Sequence, residues 1–262
     1  MKVVVAVKRV AELDDEFELR EDGLDVDADF VEWSLNEWDA FAVEEALGLV
    51  EEHGGEVVVV SLGDEGAEEP IRQCLAKGAE RGIRIWDEGL DAVDALGAAV
   101  PLAAAIEREE PDLVLFGVQS SDGASGATGT AVAGRLGLPH VAVVRRLEYD
   151  AEAGAATVHR ELEGGLIDVA RVSTPALLTI QSGINEPRYA TLRAIKQAEQ
   201  KPLETLSLGD LDLDRELVRS ATGARRRRAS VPAKGEGAEM IEGSPEDVAT
   251  RVAEIVKEAL AA

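Results

Sequence analysis

The chain has few of the residue types that build disulfides and metal sites. It contains one cysteine, Cys74, and three histidines among 262 residues. A lone cysteine forms no intrachain disulfide and no CxxC pair. The histidines His53, His140 and His159 stand singly and lack the HExxH spacing of a zinc site. We therefore expect no metal ion to be bound.

Positive charge is also scarce. The chain has 27 Lys plus Arg against 52 Asp plus Glu, which gives a net charge of -25. A surface this negative repels nucleic acid and anionic membranes. Only 7 of the basic residues are lysine. We interpret the acid excess as adaptation to a high-salt cytoplasm rather than as an acidic binding face, because carboxylates keep a surface hydrated when salt screens repulsion.

Hydrophobic targeting segments and catalytic motifs are missing too. No apolar run reaches the roughly 18 residues of a membrane span, and the N-terminus lacks the pattern of a secretory signal, so we expect a cytoplasmic protein without direct membrane insertion. There is no GxSxG elbow and no Cys/His pair. A hydrolase or ligase would need such machinery. The sequence therefore predicts a protein that is not an enzyme and has no catalytic residues.

What the chain does contain is an alternation of β-branched runs and amphipathic segments. Nearly continuous apolar runs are typical of parallel strands covered on both faces, and the segments between them have helical period. The pattern predicts an α/β fold with a doubly wound, mostly parallel sheet. An antiparallel meander is expected on the sheet edge. The predicted strands are Lys2 to Val7, Glu56 to Ser61, Gly82 to Trp86, Asp112 to Gly117 and Pro175 to Gln181, with the meander in His140 to Tyr149, Ala156 to Glu161 and Leu166 to Val172.

The periodicity weakens after Lys201. We expect an α/β domain over residues 1–200 and an extended, partner-wrapping arm over residues 201–262, with a terminal helix that starts at Ser244. The arm contains four consecutive arginines, Arg225 to Arg228. They suggest either a nucleic-acid contact or a contact with an acidic surface. The overall charge favours the acidic surface.

A loop rich in glycine and serine follows the strand that ends at Gly117. Small residues at the carboxyl end of a parallel strand let backbone N–H groups approach an anion at the next helix start. The loop matches neither GxGxxG nor the P-loop, so it indicates a phosphate site of another kind or a plain surface connection. Ala6, Leu62 and the segment from Asn36 to Asp39 are expected at the same edge. Asn36 could equally be only a helix cap.

Several blocks together closely resemble the β subunit of electron transfer flavoproteins. The resemblance spans about residues 1–210 in unbroken order. It rests on the runs Val5 to Arg9, Ala42 to Ala46, Lys77 to Gly82, Arg160-Glu161 with Gly164 to Leu166, and NEPRYATL from Asn185 to Leu192, together with Asn36 and Arg72. The family implies a fold like that of adenine nucleotide α-hydrolases. It also implies a heterodimer with an α subunit that holds most of the FAD, an AMP buried in the β subunit, and electron transfer from acyl-CoA dehydrogenases and related enzymes to a quinone oxidoreductase.

The resemblance assigns residues by position. It places AMP contacts at the strand ends, the start of the second predicted helix and the glycine loop. It places contacts with partner proteins in the NEPRYATL block, where Leu192 would enter a pocket of acyl-CoA dehydrogenases, and in the turn beneath the flavin domain. The implied cofactor residues are Ala6, Asn36, Glu37, Trp38, Asp39, Leu62, Gly117, Val118, Gln119, Ser120, Ser121, Asp122, Gly123, Ala124, Ser125, Gly126, Ala127 and Thr128. The implied partner residues are Asn185, Glu186, Pro187, Arg188, Tyr189, Ala190, Thr191, Leu192, Arg160 and Glu161.

The chain departs from the family at two places. It reads Asn36-Glu37-Trp38 where Asn-Pro-Phe is common, and Ala127 stands where Asn or Gln usually precedes the Thr-Gly step. Bifurcating members bind a second FAD in place of AMP and share the Asp122-Gly123 step, but the Thr128-Gly129-Thr130 ending is closer to the AMP type. A nucleotide-binding sensor that resembles universal stress proteins is the alternative of another class.

Overall fold

Strands and helices alternate along most of the chain. The computed structural model describes residues 1–13, 17–90, 93–232, 238 and 240–261. The strands are β1 (Lys2–Ala6), β2 (Arg9–Glu12), β3 (Glu32–Leu35), β4 (Glu56–Leu62), β5 (Arg81–Ile85), β6 (Leu113–Gly117), β7 (His140–Asp150), β8 (Ala155–Glu161), β9 (Ile167–Ser173), β10 (Ala176–Ile180) and β11 (Leu203–Leu206). The helices are α1 (Glu37–His53), α2 (Glu68–Lys77), α3 (Ala95–Arg108), α4 (Thr128–Leu136), α5 (Leu192–Ala198), α6 (Arg215–Ala221) and α7 (Pro245–Ala261).

Nine strands form one sheet in the order β11-β5-β4-β1-β6-β10-β7-β8-β9. From β11 to β7 the pairs are parallel, whereas β7, β8 and β9 pair antiparallel. The predicted doubly wound sheet with an antiparallel edge meander is therefore confirmed. After β5 the chain crosses to the other side of β1, so the strand order reverses between β1 and β6. In open α/β sheets the ligand crevice lies at that switch point, outside the carboxyl ends of the strands.

The core has two layers because successive side chains of each strand point to opposite faces. Val3 and Val5 of β1 pack with α1 and α2 on one face, whereas Val4 packs with α3 and α4 on the other. All three valines have no exposed surface. Burying an aliphatic side chain of this kind contributes about 1.5–3 kcal/mol, which explains why these runs form strands despite the acidic composition.

The structure adds elements that the sequence pattern did not predict. An antiparallel hairpin joins β2 to β3, and β11 extends the main sheet beside β5. Helix α6 follows and buries Val218 in a small cluster with Val100 of α3. The terminal helix α7 has no buried residue. The division into a body over residues 1–200 and an arm over residues 201–262 stays a prediction.

The four-arginine run makes a contact of the expected kind. Arg226 forms an ion pair with Asp25 and donates a hydrogen bond to the Leu24 carbonyl at 3.2 Å. The backbone N–H of Ala229 donates to the Gly23 carbonyl at 2.8 Å. At least one arginine of the run thus contacts an acidic turn of this same chain.

Within the described ranges, every helix is too short or too polar to cross a bilayer.

Candidate functional site

Asn36 links the start of α1 to the glycine loop at the switch point. Its side-chain Nδ2 donates to the Gln119 carbonyl at 2.9 Å, and its Oδ1 accepts from the Ser121 N–H at 3.2 Å. Asn36 is 1% exposed, and its side chain makes no capping hydrogen bond to α1. The residue therefore occupies the position before the helix but uses its amide to fix the loop. The interpretation as a simple helix cap is wrong.

Asp39 fastens the two strand ends that flank the switch point. One carboxylate oxygen accepts from the Lys8 N–H at 2.8 Å and the other from the Gly117 N–H at 3.0 Å. A Cβ at Gly117 would overlap this carboxylate and the Trp38 side chain, so only glycine fits there. Burial raises the pKa of Asp39 to about 7, although hydrogen bonds from Asn36 and from both backbone N–H groups act against the rise. Asp39 thus fixes the positions of the Lys8 and Gly117 backbones at the switch point.

The glycine loop between β6 and α4 presents backbone to solvent. Residues 121–126 are exposed, and Ala124 and Gly126 have positive φ values of 46° and 59°. In the described part of the chain no side chain caps the N-terminus of α4, since Ala127 stands at the cap position. The first N–H groups of a helix carry partial positive charge and lack partners inside the helix. This arrangement can bind an anion such as a phosphate.

Lys8 brings a positive charge to this loop. Its Nζ lies 2.6 Å and 2.8 Å from the two carboxylate oxygens of Asp122 and 3.4 Å from Ser120 Oγ. Burial acts to raise the pKa of Asp122, but hydrogen bonds from Lys8 and Ser120 lower it overall. Asp122 is therefore ionised at neutral pH and paired with Lys8.

The remaining residues expected at this edge lie around the same point. Ala6 is buried at the end of β1, and Leu62 ends the neighbouring strand β4. Glu37 and Trp38 form the first turn of α1, where Trp38 Nε1 donates to Gln181 Oε1 at 3.1 Å. Gly117 contacts Asp39, Gln119 and Ser121 contact Asn36, and Ala127 directly precedes α4. The loop members are Gly117, Val118, Gln119, Ser120, Ser121, Asp122, Gly123, Ala124, Ser125, Gly126, Ala127 and Thr128.

The NEPRYATL block forms a surface loop that is held against α1. Asn185 Nδ2 donates to the Phe41 carbonyl at 3.1 Å and to Glu45 at 2.9 Å. Arg188 binds two glutamates of α1: its Nη2 lies 2.9 Å from Glu44 Oε1 and 3.1 Å from Glu51 Oε2.

Beyond this anchored base the loop presents apolar side chains to solvent. Tyr189 is 96% exposed and Leu192 is 82% exposed. These two side chains are thus open to contact by another protein. Thr191 accepts from the Ala194 N–H and caps α5, which Leu192 begins.

Arg160 and Glu161 lie on β8, in the antiparallel meander. Arg160 Nε is 3.2 Å from Asp168 on β9, and Glu161 is 3.8 Å from Arg145 on β7. Close to them Leu166 is 65% exposed. This edge of the sheet therefore mixes charge with uncovered apolar surface, as protein interfaces do.

Sequence reasoning did not assign Lys8 to the loop, nor Glu44 and Glu51 to the NEPRYATL block. A signal for the glutamates was available, because positions seven apart lie on one face of a helix. Lys8 had no comparable signal, since its contact depends on the neighbouring positions of β1 and β6.

The fold and the loop at its switch point define a doubly wound α/β protein of the class that binds ligands at this sheet edge. The electron transfer flavoprotein domain family matches residues 24–211. The chain is 48% identical over 261 residues to the electron transfer flavoprotein subunit beta of Methylophilus methylotrophus, which covers 98% of each chain. It is 34% identical to that of Bacillus subtilis, again over 98% of each, and 38% identical to the human one over 82% of this chain and 84% of the human chain. The chain therefore belongs to the electron transfer flavoprotein family, as a β subunit. The alternative of a stress-protein-like sensor is wrong.

Proposed function

We propose that this chain is one half of a heterodimeric electron carrier. In this proposal the heterodimer accepts electrons from acyl-CoA dehydrogenases and related enzymes and passes them to a membrane quinone oxidoreductase. The observation that carries the proposal is the similarity to β subunits over nearly the whole chain. Two loops that hydrogen bonds hold in place, the glycine loop and the NEPRYATL loop, support it, because the resemblance implies binding at both. The chain itself works in the cytoplasm and supplies binding surfaces rather than catalytic side chains.

In this proposal the glycine loop at the switch point binds AMP. The uncapped start of α4 and the exposed backbone of residues 121–126 suit a phosphate. Asn36 fixes the loop, and Gly117 leaves no side chain between the loop and Asp39. The shared Asp122-Gly123 step keeps a second FAD as the alternative occupant. We favour AMP because the loop ends in Thr128-Gly129-Thr130.

FAD held mainly by the α subunit would supply the electron-carrying chemistry. The part of this chain is to offer a face for that subunit. We place this face on the meander edge at Arg160 and Glu161, where Leu166 and Val169 are also exposed. We propose that the arm beyond residue 200 wraps the same subunit, because α7 buries none of its residues against the rest of this chain.

The NEPRYATL loop is proposed to dock dehydrogenases. Leu192 presents an apolar side chain that can enter a hydrophobic pocket, and Arg188 and Asn185 hold its base on α1. Burying one leucine on a partner is worth about 1.5–3 kcal/mol, which suits a carrier that must bind and leave quickly.

Co-expression with the α-subunit gene tests the proposal. We expect the two chains to purify together and to show the absorbance of a bound flavin. Adding an acyl-CoA dehydrogenase with its substrate should reduce the flavin and bleach this absorbance. Leu192→Ala should slow this bleaching without loss of flavin, whereas the exposed neighbour Arg193→Ala should change it little. A flavin-free chain that forms no heterodimer would refute the proposal.

A further inference from the structure

Asp39, which accepts hydrogen bonds from the chain at the ends of β1 and β6, also fixes the backbone of Lys8. Lys8 follows β1, and its backbone N–H donates to the Asp39 carboxylate at 2.8 Å. From this fixed point the side chain crosses from β1 to the loop after β6, where Nζ meets Asp122 and Ser120. The contact joins the two strands that flank the crevice.

A cation beside this loop would strengthen the binding of a phosphate. The chain carries a net charge of -25, and Asp122 places a carboxylate inside the loop itself. The helix start supplies only partial charge. Among the described residues, Lys8 is the one cationic side chain that hydrogen-bonds to residues 117–128.

The ammonium of Lys8 is also accessible to a ligand. Three oxygens lie within hydrogen-bond distance of Nζ, but two of them belong to the single carboxylate of Asp122 and the third, on Ser120, is at 3.4 Å. The side chain is 48% exposed, so it is not sealed beneath the loop. Gly123 adds no side chain beside it; a Cβ there would contact Ser120 Oγ at 3.5 Å and Nζ at 3.9 Å.

We propose that the Lys8 ammonium binds the phosphate of the nucleotide directly and that Asp122 positions it for this contact. This inference rests on the proposed AMP site. The ligand chemistry is a phosphate monoester on adenosine. Lys8, although paired with Asp122, adds a charged hydrogen-bond donor to those of the helix start and the loop backbone, and Asp122 keeps the long, flexible side chain over the loop.

Calorimetric titration of the co-purified heterodimer, stripped of nucleotide, tests the inference with AMP and adenosine as probes. Lys8→Met should weaken AMP binding about 10-fold to 100-fold, the usual effect of removing a charged hydrogen bond. Adenosine, which has no phosphate, should bind Lys8→Met as it binds wild type. Lys8→Arg should retain most of the AMP affinity, and Lys196→Met, which removes an exposed lysine on α5, should retain all of it.

The other outcomes distinguish a failure of the proposed Lys8 role from a failure of the proposed AMP site. Unchanged AMP binding by Lys8→Met would overturn the role of Lys8 and leave the AMP site standing. Equal losses for AMP and adenosine would also overturn it, because they would show a structural role. If wild type binds no AMP, the proposed AMP site fails and the role of Lys8 fails with it.

Discussion

Replacing Arg188 by methionine tests whether anchoring of the NEPRYATL loop on α1 positions Leu192 for its proposed contact with a dehydrogenase. Methionine keeps most of the aliphatic stem and removes the guanidinium. The change removes three side-chain hydrogen bonds to Glu44, at 2.9–3.0 Å, and the pair with Glu51. Glu44 is 14% exposed and would lose its cationic partner while close to Glu45, whose pKa is raised first by burial and also by Glu44.

The expected cost follows from these exposures. A hydrogen bond to a charged, largely buried group contributes about 1.5–3 kcal/mol, whereas an exposed pair such as that with Glu51, 61% exposed, contributes about 0–1 kcal/mol. We expect a loss of about 2 kcal/mol in the free energy of unfolding. For a chain of this size that lowers the melting temperature by about 4–8 °C.

Two assays on the heterodimer check this prediction. Thermal unfolding should show the drop in melting temperature. Reduction by an acyl-CoA dehydrogenase should show a higher KM with nearly unchanged kcat, because Leu192 is less well positioned but the electron-transfer step is unaltered. Arg188→Lys should recover part of both effects, and Arg193→Met is the matched control on the exposed surface. A normal KM in an Arg188→Met heterodimer with a lowered melting temperature would refute the positioning role.

Three further predictions concern other parts of the molecule. Because the pKa of Asp39 is raised from 3.8 to about 7, ionising it costs folding stability as the pH rises between these values. The stability of Asp39→Asn relative to wild type should therefore increase from pH 4 to pH 8 in chemical denaturation; a constant difference would contradict the raised pKa. The net charge of -25 predicts a melting temperature that rises from millimolar to molar salt, and an unchanged value would remove the high-salt interpretation. Deleting residues 245–261 should leave the melting temperature of the isolated chain unchanged but weaken binding to the α subunit in a pull-down, because α7 has no buried residue. A large drop in melting temperature would show that α7 packs on the body.

The strands were predictable because burial on both faces leaves a clear mark in the sequence. Val3, Val4 and Val5 in succession are typical of a strand that is covered on both faces. Strand β11 left no such mark, since Glu204 and Thr205 are exposed at the sheet edge. The β2–β3 hairpin was missed for another reason: its two strands are separated by a long connection, and Arg9 begins the first of them.

The position of the site was predictable from the sequence, but the structural role of each of its residues was not. The switch-point rule and the family motif both indicated Asn36, Asp39 and the loop after Gly117. Only the structure shows that Asn36 holds the loop and that both oxygens of Asp39 are occupied by backbone N–H groups. Such roles depend on hydrogen bonds between residues 31 to 83 positions apart in the sequence. No local pattern encodes them.

Mass spectrometry of the nucleotides released from the purified heterodimer tests the assignment of the glycine loop to AMP most directly. We predict one FAD and one AMP per pair of chains, with the AMP lost when Asn36 is replaced by alanine and the FAD retained. Two FAD and no AMP would contradict the assignment of the switch-point loop to AMP.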